Sequence, residues 1–231
     1  MKLILCGGGC GDQVKEGYEI FAREVNGGKV LYIPLAWNNG NMESCINWFK
    51  QEMLPYGITD IEDVLDAKDI TKEKLDKCAG VFIGGGNTFK LLKMLKETEA
   101  FDNLNEFLNR GIIMGGSAGA LIFGKSIDTC LKSNIEISST DENIVDLKDT
   151  DGFNKINGYS IFAHYKKEKD KPENVLAYAE QLVGKGHKLI CLPEETNLWV
   201  NGDKMVIVGQ KPAEVFNGNS VVVLNNNDVV L

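Results

Sequence analysis

Short apolar runs rich in β-branched residues alternate along this chain with longer stretches in which apolar positions recur every three or four residues. The runs at residues 2–6, 29–33, 80–83, 112–114, 159–163 and 188–192 read as strands buried on both faces. Residues 13–25, 42–56, 88–96, 101–109 and 173–183 carry one apolar face opposite charged residues and read as amphipathic helices. Strand and helix in alternation predict a three-layer α/β fold: a mostly parallel sheet with helices on both faces. Near the end the rhythm changes, because residues 197–200 and 204–208 flank Asn201-Gly202, a tight-turn pair that predicts a C-terminal antiparallel hairpin. Residues 132–157 are polar and without period, a long excursion of the kind that often carries function. No proline- or serine-rich break divides the chain, so residues 1–231 are expected to form one domain.

Ligands of such sheets bind beyond the carboxyl ends of the strands. Gly7-Gly8-Gly9, Gly84-Gly85-Gly86-Asn87, Gly115-Gly116-Ser117, His164 and Pro193-Glu194 each stand immediately after a predicted strand. Residues 115–119 satisfy G-x-S-x-G between an apolar strand and a helix-like run, the context in which a serine nucleophile sits on a sharp turn with small neighbours. A capping serine in a glycine-rich turn is the plainer alternative. The hydroxyl needs a base, and the chain has two histidines: His164 ends a strand on the edge of Ser117, whereas His187 precedes a strand and belongs to the opposite edge. Asp128, Glu136, Asp141 and Glu142 all lie between Ser117 and His164 as carboxylates able to orient the imidazole, and spacing does not choose among them. The amide of Ala118, with that of Gly85 or Gly86, is the expected oxyanion hole. Residues 119–126 also match the spacing of a phosphate-binding loop, but their four intervening positions are apolar and helix-like, which argues against nucleotide binding.

The net charge of -8 and a pI near 4.9 disfavour nucleic acid and anionic membranes as partners. The N-terminus reads as a first strand, and no apolar run approaches membrane-spanning length, so a cytoplasmic protein is expected. Six cysteines without paired spacing, and two histidines, give no metal site. A short peptide is the expected partner, no cofactor is called for, and assembly is open to a homodimer.

At these residues the sequence resembles the dipeptidase E and cyanophycinase family of serine peptidases. The likeness runs through Gly84-Gly85-Gly86-Asn87-Thr88, Gly116-Ser117-Ala118-Gly119-Ala120, Phe162-Ala163-His164-Tyr165 and Leu192-Pro193-Glu194. It implies a fold similar to that of the glutamine amidotransferases, with serine in place of cysteine. It also implies Ser117 as nucleophile, His164 as base, and Asp141, within Ser138-Ser139-Thr140-Asp141, as first choice for the third residue. Glu142, Glu136 and Asp128 stay open. The activity implied is removal of an amino-terminal aspartate from short peptides, with Lys171 among the lysines facing the substrate carboxylate and Glu194 holding its free amine. The chain departs from the family in having lysines and no arginine after His164, and in Glu195 where glycine is usual. A cyanophycinase-like β-aspartyl peptidase and a catalytically silent metabolite-binding protein are the rival readings.

Overall fold

The computed structural model describes residues 1–38, 40–218 and 220–230, which form two sheets. The first has eight strands in the order β12-β9-β8-β1-β5-β4-β2-β3. At its centre β1 (Lys2–Cys6), β5 (Ile112–Gly116), β4 (Gly80–Ile83), β2 (Val30–Ile33) and β3 (Ile61–Asp63) run parallel. The strands β8 (Thr196–Asn201), β9 (Lys204–Gly209) and β12 (Val229–Val230) extend it antiparallel beyond β1. The expected hairpin is therefore present. Its two-residue turn is Gly202-Asp203, because Asn201 still pairs with Lys204, and Gly202 takes the left-handed φ of 62°.

Helices α1 (Lys15–Val25) and α2 (Met42–Met53) cover one face, where Tyr32 stacks on Phe49 at 3.9 Å and Phe49 meets Phe82 at 4.5 Å between ring centroids. On the other face lie α3 (Lys72–Asp76), α4 (Thr88–Lys96), α5 (Ala100–Phe107) and α6 (Ala118–Leu121). The helix starts follow from their caps: the Asn41 side chain accepts the Glu43 amide at 2.8 Å and that of Asn87 the Lys90 amide at 2.9 Å, each satisfying a donor that the helix leaves free.

A second sheet, in the order β11-β10-β7-β6, holds two strands that the hydrophobic pattern had assigned to the main one. These are β6 (Tyr159–Phe162) and β7 (Lys188–Cys191), parallel to each other, followed by β10 (Ala213–Asn217) and β11 (Ser220–Leu224). A parallel pair buried on both faces looks the same in either sheet. Ile161, Ile190 and Val215 join the core of the large sheet, while Phe162, Leu189 and Phe216 pack under α7 (Pro172–Gly184). Residues 132–157 lie between β5 and β6 and reach back to α4, where Lys93 and Asn87 hold the carbonyls of Val145 and Glu142 at 2.8 Å. No helix among the described residues is long and apolar enough to cross a membrane.

Candidate active site

The site sits where the carboxyl ends of β1, β4 and β5 face the loop after β6. Ser117 joins β5 to α6 with φ 50° and ψ −111°, a strained conformation for a residue with a side chain. The turn closes so tightly that a Cβ on Gly119 would lie 2.2 Å from the Ile83 carbonyl oxygen, and one on Gly115 2.2 Å from that of Gly119. Small residues at both positions are therefore a steric requirement of the turn.

His164 follows β6 and also has a left-handed backbone, φ 53°. Its N–H donates to the Gly7 carbonyl at 2.7 Å, which fastens the loop of the small sheet to the end of β1. Its ring lies over Gly8, where a Cβ would meet the imidazole at 2.2 Å; the φ of 117° at this position is a second reason for glycine. In this position Nε2 is 2.8 Å from Ser117 Oγ.

The other ring nitrogen, Nδ1, lies 2.7 Å from Glu194 Oε1, and the same oxygen receives the Lys167 ammonium. A carboxylate there only accepts, so the proton is held on Nδ1 and Nε2 is left to accept from the serine hydroxyl. Burial holds the imidazole below its ordinary value near 6.5, and the Lys167 charge acts in the same direction, against the pull of Glu194 and Asp141. Burial alone would raise the Glu194 carboxyl, but its hydrogen bonds from Lys167 and His164 hold it below the ordinary carboxylate range. The result is a neutral base beside an ionised acid at neutral pH.

Asp141, expected to orient the imidazole, does not bond it. Its Oδ2 accepts from the Thr88 amide at 2.8 Å and the Thr88 hydroxyl at 2.6 Å, because the N-terminus of α4 offers free donors to a carboxylate. Asp128 lies 3.5 Å from His187, on the far side of the small sheet's strands, and Glu142 pairs with Lys132 at 3.5 Å. Glu136 contributes its backbone carbonyl to Asn174. Glu194, expected to take a substrate amine, is instead occupied by His164 and Lys167. Lys171 is exposed at the start of α7 and lines neither cavity of the site. The pattern already held one signal for Glu194: it follows the strand ending at residue 192, on the same edge as the serine.

The Gly85 position brings bare backbone to Ser117, since a Cβ there would be 3.2 Å from Ser117 Cβ. The amides of Gly85 and Ala118 have no acceptor among the described residues, whereas that of Gly84 is spent on Ile33 at 3.0 Å. Gly86 faces the Ala36 carbonyl, 2.2 Å from where its Cβ would be. Two cavities meet at Ser117. One, of about 480 Å³, is lined by Tyr18, Tyr32, Trp37, Trp48 and Phe82; the other, of about 440 Å³, by Thr88, Lys132, Ser138, Thr140, Asp141 and His164. No cluster of metal-ligating side chains occurs among the described residues.

The family model described as Peptidase family S51 matches residues 3–208. Peptidase E of Shewanella denitrificans is 29% identical over 200 residues, 82% of this chain and 78% of that protein. A Drosophila melanogaster protein named "Probable alpha-aspartyl dipeptidase" is 25% identical over 201 residues, covering 84% of this chain and 78% of its own. Among solved structures, a peptidase from an acI-B1 Actinobacterium superposes with a TM-score of 0.74 at 20% identity, over 99% of this chain and 96% of that one.

Proposed function

The chain belongs to peptidase family S51, a family of serine peptidases, and from that premise we propose that it cleaves short peptides after an amino-terminal aspartate, using Ser117, His164 and Glu194. One observation carries the residue assignment: the continuous contact from Ser117 Oγ through the imidazole to Glu194, at 2.8 and 2.7 Å. The name of the Drosophila relative supports the substrate class, and that of the Shewanella relative supports a peptidase.

In this mechanism the strand-to-helix elbow presents Ser117 Oγ to the scissile carbonyl. His164 Nε2 takes the hydroxyl proton as the C–O bond forms, and Glu194 steadies the resulting imidazolium through Nδ1–H. The oxyanion gathers on the amides of Ala118 and Gly85, which cost no reorganisation because nothing else engages them. The imidazolium then gives its proton to the departing amine, leaving an acyl ester on Ser117. Water, deprotonated by the same nitrogen, releases the acid and restores the serine. Residues 1–231 act here as one unit, a reading supported by a core shared between both sheets. Six free thiols support a cytoplasmic setting.

The test is hydrolysis of Asp-Leu and Ala-Leu by the wild type, Ser117→Ala and His164→Ala. Release of leucine from Asp-Leu alone, lost in both variants together with fluorophosphonate labelling, is the expected outcome. Wild-type rates in either variant would end the proposal.

A further inference from the structure

The two cavities at Ser117 differ in chemistry, and we infer that the apolar one is the site for the residue on the leaving side of the scissile bond, selecting a large apolar or aromatic side chain there. This rests on the peptidase reading above and deepens it. The polar cavity is lined by the carboxylate of Asp141, whose Oδ2 is held by Thr88 and whose charge can face a free amine, by Lys132, exposed and 3.5 Å from Glu142, for an acidic side chain, and by Ser138 and Thr140. An amino-terminal residue that carries both an ammonium and a side-chain carboxylate is matched by this lining. The apolar cavity offers almost nothing to a charge: aromatic rings from β2, β4, α1 and α2 line it together with Ser117 and Gly85.

The walls are fixed by the fold. Tyr32 and Phe82 are both buried and belong to the ring cluster around Phe49, so the cavity floor is part of the core. Trp48, 41% exposed, stands at the rim on α2. At about 480 Å³ the space is at the size of small-molecule pockets and takes a phenylalanine or leucine side chain. The leaving amine must reach His164 Nε2. That is possible from this side, because the imidazole lies over Gly8, whose backbone lines the same cavity.

The experiment has two readouts. In turnover, Asp-Phe and Asp-Leu are expected to exceed Asp-Gly by roughly 10- to 100-fold in kcat/KM, the gain from burying one large apolar side chain. Ser44→Trp, which fills the cavity from an exposed position on α2, is expected to bring Asp-Phe down toward Asp-Gly. In binding, Ser117→Ala is titrated with the same peptides and followed by the fluorescence of Trp37 and Trp48. Asp-Phe is expected to bind at least about tenfold tighter than Asp-Gly and to shift the emission. Equal constants for the two peptides, or a preference for Phe-Asp over Asp-Phe, would overturn the assignment. Absence of all dipeptide turnover would count against the reading in the preceding section, while the titration still decides which side chain the cavity takes.

Discussion

Replacing Glu194 by glutamine isolates the contribution of the acid. The substitution keeps the shape of the side chain and removes the charge that faces the imidazolium in the transition state. With the charges about 4 Å apart in a partly buried site, an effective dielectric near 20 gives an attraction of about 4 kcal/mol. Lys167 shares the same carboxylate oxygen and offsets part of this, which leaves about 3–4 kcal/mol, or roughly 10²–10³ in kcat. A second loss adds to it whenever the amide turns its N–H toward Nδ1, since that places the ring proton on Nε2 and removes the acceptor for the serine. The assay is steady-state release of leucine from Asp-Leu for Glu194→Gln beside Asp141→Asn. Glu194→Gln should lower kcat with KM little changed. Asp141→Asn, which loses its bonds to Thr88 at the polar cavity, should act chiefly on KM. A full wild-type kcat in Glu194→Gln, with a collapse of kcat in Asp141→Asn, would show that the geometry has been misread.

Two further outcomes are expected. Lys167→Met removes a cation that holds His164 down and frees Glu194 to pull it up, so the acidic limb of kcat/KM against pH should move to higher pH, with activity at about pH 5.5 falling a few-fold relative to about pH 8; an unmoved limb would mean that Lys167 does not act on the base. Ser117→Gly relieves a backbone strain of about 1–3 kcal/mol, less about 0.5–1 kcal/mol for glycine's freedom in the unfolded chain. It should therefore melt roughly 2–4 °C above Ser117→Ala by calorimetry, and a lower Tm would show that the turn is unstrained.

Much of this site can be read before folding because its chemistry follows strand ends. The turn at Ser117 and the histidine at 164 that faces it both announce themselves by position, and the glycines around them by the crowding they avoid. Asp141 was favoured by the resemblance and not by spacing, which left four acids open, and the fold gives it another partner: its Oδ2 is held by the amide and hydroxyl of Thr88 at the start of α4. Glu194 was visible at the correct edge, but nothing in a linear pattern says which of two nearby groups a carboxylate will bond. The second sheet was illegible for a similar reason, since β6 and β7 carry the same doubly buried signature that a central strand would. The short β3 is only half-buried, and β11 has three consecutive exposed valines where alternation would have marked a strand.

The bond from the His164 amide to the Gly7 carbonyl ties two sheets whose strands never pair with each other. Hydroxyl and imidazole thus arrive on separate scaffolds, and only their docking creates a competent pair. A change that loosens this contact would part the hydroxyl from the imidazole without altering either side chain.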